Sequence, residues 1–194
     1  MDTILQDILP VLPARLHAPL RHLEHLRPED IRLRAGQPPG VYAAGHETPL
    51  AAAPVTWQEL EQILMAATDH SYYAAAEQLA DGFVTLPGGH RVGVCGTLAV
   101  RGGSAVSVRN ISSVCIRLAR DVPCAVPELT RSTLLLGALG SGKTTLLRAC
   151  IRALSRRGQR VCVADERGEL AACVNGQPQM DVGPCTDVLT GGKK

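Results

Sequence analysis

Residues 133–151 have the sequence TLLLGALGSGKTTLLRACI, in which a short apolar run leads into a glycine-rich turn and then into a helical pattern. Residues 137–144 match the motif G-x-x-x-x-G-K-[S/T], the P-loop, at every position. The apolar run predicts a buried strand, and the residues from 143 onward predict a helix. Strand, glycine-rich turn and helix in this order are the setting in which the motif binds phosphate groups.

Each residue type in the motif has a physical role in phosphate binding. Glycines allow the backbone to turn tightly and point its N–H groups inward, and the start of the helix adds the positive end of its dipole. Lys143 is predicted to reach the β- and γ-phosphates of ATP, and the Thr144 hydroxyl to hold Mg²⁺. The predicted nucleotide-binding set is Gly137, Ala138, Leu139, Gly140, Ser141, Gly142, Lys143, Thr144 and Thr145.

The composition of the chain limits the classes of protein to which it can belong. The chain has 194 residues, 45% of them hydrophobic, which suits one or two domains with a buried core. Its net charge of +2 gives no reason to expect direct binding to nucleic acid. No apolar run approaches the ~20 residues of a transmembrane helix, and the start is not a secretory signal. Seven cysteines without a CxxC pair predict reduced, mostly buried thiols in a cytoplasmic protein.

The residues before the motif predict an α+β domain. Thr56 and Glu59 have the spacing of a capping box and predict a helix that begins after Thr56. A second helix is predicted over residues 71–80. Strands are predicted at residues 31–34 and 41–43, and short runs separated by glycine turns predict an antiparallel sheet between residues 83 and 118. We therefore expect an N-terminal α+β domain over residues 1–127 and a P-loop α/β domain over residues 128–194.

A second apolar run, at residues 160–164, predicts a strand that pairs in parallel with the strand at 133–136. The acidic sequence DERGE follows at residues 165–169. Because ligands bind at the carboxyl ends of parallel strands, a carboxylate here can orient water toward the γ-phosphate. Glu166 is the first candidate for this catalytic role and Asp165 the second, with Lys143 completing the catalytic set. The other interpretation is a solvent-exposed charged turn.

Four further blocks accompany the P-loop in a fixed order. They are residues 81–93 (DGFVTLPGGHRVG), 110–120 (NISSVCIRLAR), 163–171 (VADERGELA) and 181–189. Together with the P-loop they resemble the stage III sporulation protein AA family, ATPases of endospore-forming bacteria that are similar to the type II and type IV secretion ATPases. The resemblance covers residues 29–189.

The resemblance implies a RecA-like motor core of the AAA superfamily behind an N-terminal domain, working as a homo-oligomer in a hexameric ring. It implies ATP hydrolysis at a channel complex between mother cell and forespore, on the mother-cell cytoplasmic side, with membrane proteins as partners. Secretion relatives carry an acidic box at the position of residues 165–169. They also bring arginines of the N-terminal domain to the nucleotide, for which Arg109, Arg117 and Arg120 are the candidates here.

Two departures from the family pattern stand out. Ala138 and Leu139 replace residues that are often prolines, which we expect to change little because backbone N–H groups bind the phosphate. No apolar strand ending in an acidic residue follows Leu189, so we expect the Walker B carboxylate to lie beyond Lys194 and the RecA-like core to be C-terminally incomplete. A non-hydrolysing nucleotide-binding or scaffold module is therefore the alternative to an ATPase.

Overall fold

The computed structural model describes residues 3–71, 79, 82–101 and 104–191, which form two compact units. The first unit is Met1–Ala119 and the second is Arg120–Lys194. The expected order, an α+β unit followed by a P-loop α/β unit, is found. The domain boundary at residues 127/128 stays a prediction, and it lies inside the second of these units. The helix predicted over residues 71–80 falls almost entirely outside the described residues.

The first unit is built on one six-stranded antiparallel sheet with the strand order β3-β2-β1-β6-β5-β4. Alternation of apolar and polar residues along these strands buries one face of the sheet. Ile31 of β1 lies opposite Ile116 of β6, and both are fully buried. The strands are β1 Asp30–Arg34, β2 Gly40–Ala43, β3 His46–Pro49, β4 Phe83–Thr85, β5 Arg91–Arg101 and β6 Ser104–Arg117.

Among the described residues of this unit, three α-helices accompany the sheet: α1 Thr3–Ile8, α2 His17–His22 and α3 Trp57–Ala67. The predicted capping box at the start of α3 is confirmed. The Glu59 N–H donates to Thr56 Oγ1 at 3.2 Å, and the Thr56 N–H donates to Glu59 Oε2 at 2.9 Å. Apolar residues at helical spacing, Leu60, Ile63 and Leu64, then turn inward and join the core that α3 forms with the sheet.

Glu59 also forms a bidentate ion pair with Arg15, whose Nε and Nη2 donate to its two oxygens at 2.5 and 2.7 Å. The Arg15 guanidinium lowers the pKa of Glu59 from 4.5 to about 2. A carboxyl whose pKa is lowered by folding adds stability above its unfolded pKa and loses it as pH falls through the folded pKa.

We therefore expect Glu59→Gln to lower the free energy of unfolding of the first unit at pH 7, and the deficit to disappear between pH 4.5 and pH 2. Solvent screening limits the expected loss to about 1 kcal/mol. Urea unfolding followed by the fluorescence of Trp57, the one tryptophan, measures it. Glu61→Gln on the exposed side of α3 is the control. A deficit that stays constant down to pH 2 would contradict the prediction.

The second unit contains α4 Lys143–Arg156, β7 Val161–Asp165 and β8 Thr186–Thr190. The helix begins and ends where the sequence predicts, with Gly158 in a left-handed conformation after its last turn. β7 matches the predicted second strand. It pairs in parallel with β8, Val163 lying opposite Val188. A small apolar core joins helix and sheet through Ile151, Val163, Ala171 and Val182.

The predicted buried strand at residues 133–136 is wrong for this structure. The segment belongs to no strand, and Leu134 and Leu136 are 79% and 84% exposed. A strand requires a neighbour that completes its backbone hydrogen bonds. β7 pairs with β8 instead, and within the described residues no strand lies beside the segment. The predicted parallel pairing of the segment with β7 is therefore wrong as well.

The cysteines are less buried than predicted. All seven are free, but Cys150 alone is buried, whereas Cys95, Cys124, Cys162 and Cys185 are exposed. The two-stranded sheet of the second unit packs on one face, so alternate residues of β7, Cys162 among them, remain in solvent. A helix able to cross a bilayer is not found among the described residues.

Candidate functional site

The glycine-rich turn has the backbone conformation that the motif requires. Gly140 and Gly142 have φ values of 75° and 86°, in the left-handed region that residues with a side chain adopt rarely. At Gly137 a Cβ atom would lie 2.6 Å from the Ser141 hydroxyl oxygen. Gly140 and Gly142 therefore suit this turn through their dihedral angles, and a side chain at Gly137 would displace the Ser141 hydroxyl.

The turn ends at Gly142, and α4 starts at Lys143 without a side-chain cap. The first N–H groups of a helix have no acceptor within the helix, and they carry the positive end of its dipole. The Lys143 ammonium donates to the carbonyl oxygens of Gly137 and Ala138 at 2.9 and 2.6 Å. Its positive charge therefore lies across the turn, beside the helix N-terminus, in a surrounding that favours an anion.

A cavity of about 350 Å³ opens beside this turn. Lys143 and Thr144 line it from the start of α4, and the acidic segment after β7 lines it from the other side. The structure thus brings together the two groups of residues that the sequence singled out, although about twenty residues separate them in the chain. The carboxylates at this cavity are Asp165, Glu166 and Glu169.

Asp165 differs from the other two carboxylates because it is only 4% exposed. Its oxygens accept hydrogen bonds from the backbone N–H groups of Glu169, Leu170 and Ala171 at 2.8, 3.0 and 2.8 Å. Both oxygens are therefore engaged in shaping the turn that follows β7. Glu166 is exposed, which leaves its carboxylate available to a ligand in the cavity.

Sequence analysis did not single out Arg148, a buried arginine that is bonded to the acidic segment. Arg148 is 8% exposed, and its Nη2 and Nε donate to the carbonyl oxygens of Glu169 and Leu170 at 2.7 and 2.8 Å. Burial lowers the pKa of its guanidinium, while nearby Asp121 and Asp165 act in the opposite direction. The segment 169–171 is thus held from two sides, its N–H groups by Asp165 and two of its carbonyls by Arg148.

The pattern that could have revealed Arg148 is a row of arginines on α4. Arg148, Arg152 and Arg156 follow one another at intervals of four residues and so share one face of the helix. Each is bonded to another segment of the unit: Arg148 to residues 169–170, Arg152 to Asp121, and Arg156 to Asp181. A row of arginines on a helix is usually read as its solvent face, which is why sequence analysis passed over it.

The resemblance implies three arginines as candidates for contact with nucleotide, and the structure places them in both units. Arg109 and Arg117 lie on β6 of the first unit and are exposed. Arg120 is the first residue of the second unit. Their predicted contact with nucleotide stays a prediction.

Several known proteins are similar to this chain. Stage III sporulation protein AA of Bacillus subtilis (strain 168) is 33% identical over 202 residues, which cover 95% of this chain and 65% of that protein. Among solved structures, the ATPase DotB of Legionella pneumophila matches with 18% identity and a TM-score of 0.47, over 93% of this chain and 53% of that one. The pilus retraction motor PilT with bound ADP matches with 16% identity and a TM-score of 0.41, over 89% and 50%.

The chain therefore spans about two thirds of the length of its curated relative and about half of each solved structure. Both structural matches lie below a TM-score of 0.5, so the likeness to them is partial. The family model described as "Sporulation stage III, protein AA" matches residues 4–194, nearly the whole chain. This extent of match, together with the similarity to the Bacillus subtilis protein, shows that the chain belongs to the stage III sporulation protein AA family.

Proposed function

We propose that this chain is the nucleotide-binding part of an ATPase, which binds ATP at the turn 137–144 and hydrolyses it. The observation that carries the proposal is the cavity in which Lys143 and Thr144 face the carboxylates of the segment after β7. Phosphoryl transfer to water requires an anion-binding loop, a cation to neutralise the phosphates and a group that orients the water. Lys143 and Thr144 at the end of the loop, and the carboxylates that could orient water, line one cavity.

The residues of the cavity fit a phosphate chain with Mg²⁺. The left-handed glycines, the uncapped start of α4 and the Lys143 ammonium all favour a polyanion. In the part of the chain that the structure describes, no three His, Cys, Asp or Glu side chains form a metal site of their own. Mg²⁺ keeps oxygen ligands, so Thr144 would hold it together with phosphate oxygens and water, and the cation would neutralise the phosphate charge.

Within this proposal the residues divide their roles. Lys143 binds the β- and γ-phosphates, and the backbone of residues 137–145 cradles them. Glu166, exposed at the cavity, orients the attacking water as its general base. Asp165, the second candidate for that role, acts through its three hydrogen bonds by holding the acidic segment in place.

We further propose a role for the whole protein, supported by its family membership. It is a RecA-like motor that assembles as a homo-oligomer, a hexameric ring, and serves a secretion-like channel complex during sporulation. Membrane proteins of that complex are its partners, and it acts from the cytoplasmic side in the mother cell. Arg109, Arg117 and Arg120 would contact nucleotide in the ring. The small net charge gives no support to direct binding of nucleic acid.

Nucleotide selectivity tests the proposed site directly. We expect ATP and ADP to bind the protein saturably with Mg²⁺, and AMP to bind about 100-fold more weakly, because the turn recognises the β-phosphate through charge-assisted hydrogen bonds. Titration calorimetry with the three nucleotides measures the difference. Equal binding of AMP, or no saturable binding of ATP, would overturn the proposed site.

Phosphate release from the same samples separates hydrolysis from binding alone. We expect steady release with ATP and Mg²⁺ from the whole protein as its gene encodes it. Saturable binding without release would favour the alternative, a non-hydrolysing nucleotide-binding or scaffold module.

A further inference from the structure

We propose that Arg148 is a positioning residue of the proposed ATPase, which fixes the acidic segment 165–170 at a set distance from the P-loop helix. The inference rests on the proposed function and extends it to a residue outside the P-loop and outside the acidic cluster. Arg148 itself is not among the residues that line the cavity. It acts through the segment that carries Glu166 and Glu169.

Helix geometry links Arg148 to the phosphate-binding residues. Arg148 follows Thr144 by four residues, so the two lie one turn apart on the same side of α4. Its guanidinium then reaches the carbonyl oxygens of Glu169 and Leu170 at 2.7 and 2.8 Å. One helix turn and two hydrogen bonds of Arg148 thus connect Thr144, the residue that would hold Mg²⁺, with the acidic segment.

The opposite side of the same segment is held by Asp165. Its carboxylate accepts the N–H groups of residues 169–171, while Arg148 takes the carbonyls of residues 169 and 170. Donors and acceptors of one short stretch of backbone are therefore bound by two buried side chains from different elements, α4 and β7. This arrangement fixes both the position of the segment and the orientation of its peptide groups.

An arginine suits this task better than a lysine. The planar guanidinium holds two N–H donors in a fixed fork that matches two neighbouring carbonyls, whereas an ammonium is a point charge on a flexible stem. Its positive charge also lies near the carboxylates of Asp121 and Asp165. Neither the fork nor the charge is supplied by an apolar residue of similar length.

Small displacements of positioning groups reduce turnover strongly, because the reacting atoms must meet within a narrow range of distance and angle. We expect Arg148→Met to lower kcat for ATP about tenfold to thirtyfold. We expect the KM for ATP to change less than about threefold, since the backbone of the turn and Lys143 bind the phosphates. Arg148→Lys should recover part of the lost kcat.

Two readouts keep a structural effect apart from a positioning effect. Guanidinium ion, added to the Arg148→Ala variant well below unfolding concentrations, should restore part of kcat, since it can occupy the vacated space and donate to the same carbonyls. Hydrogen exchange of the amides of residues 169–171 should be faster in Arg148→Met than in wild type, with or without nucleotide. Arg157→Met, at an exposed position just after α4, is the control for both.

The outcomes are distinct. Wild-type kcat in a folded Arg148→Met protein, or unchanged exchange at residues 169–171, would overturn the proposal while the ATPase function stands. A lower kcat together with a lower thermal unfolding midpoint, with no rescue by Arg148→Lys or by guanidinium ion, would assign Arg148 to folding alone. That result would also overturn the proposal. Absence of ATP turnover in the wild-type whole protein would overturn the proposed function itself, and this positioning role with it.

Discussion

Replacement of Lys143 by alanine is expected to lower ATP turnover by about a thousandfold, which brings it to the background of the assay. The Lys143 ammonium is the one side-chain cation within the turn, where it lies against the carbonyls of Gly137 and Ala138. Without it, no side-chain cation of the turn would meet the negative charge that develops on the phosphoryl oxygens. Steady-state phosphate release from the whole protein measures the effect.

The fold should tolerate this change because the two hydrogen bonds of Lys143 are exposed at the surface of the turn. The thermal unfolding midpoint of Lys143→Ala should therefore remain within the range of wild type. Arg157→Ala removes a basic residue at the other end of the same helix and should leave turnover unchanged. Turnover of Lys143→Ala at the wild-type level would show that the P-loop is not the hydrolytic site.

The second large effect concerns stability. Asp165→Ala is expected to lower the free energy of unfolding of the second unit by about 4 kcal/mol, because it leaves three N–H groups of a partly buried turn without their acceptor. It also removes an opposite charge close to the buried guanidinium of Arg148. Hydrogen exchange of the amides in α4 and β7 measures the local free energy of opening in wild type and variant.

Glu166→Ala is the matched control, since it removes the neighbouring carboxylate at an exposed position. Its free energy of opening should stay within about 0.5 kcal/mol of wild type, as for surface substitutions generally, while its turnover falls. If Asp165→Ala were as stable as Glu166→Ala, the three hydrogen bonds would contribute little. Asp165 would then be open again to the catalytic role that the sequence suggested for it.

The candidate site could be predicted in large part because its components are local. The turn 137–144 follows from glycines and a Lys-Thr pair that are consecutive in the chain, and the start of α4 follows from the same residues. The position of the acidic segment followed from one general rule, that ligands lie at the carboxyl ends of strands. The cavity that joins the two confirms their proximity, whereas the roles of individual side chains stay predictions.

The errors have a common physical origin. An apolar run such as residues 133–136 is compatible with a strand, but whether it becomes one depends on a partner that supplies hydrogen bonds. The partner of β7 turned out to be β8, whose residues follow the acidic segment by more than fifteen positions. The exposure of Cys162 follows from the same pairing, since the sheet of two strands buries one face.

The sequence by itself therefore determined the P-loop, the helix that follows it, the capped helix α3 and the membership of the family. Each of these depends on residues that are close in the chain or on the order of motifs along it. The tertiary structure decided which strands pair, which carboxylate is buried and which is exposed, and what Arg148 binds. These outcomes depend on distant segments that compete for the same hydrogen bonds and the same space. Burial engages Asp165 in three backbone hydrogen bonds, and it brings Arg148, on a helix face, into contact with the same acidic segment.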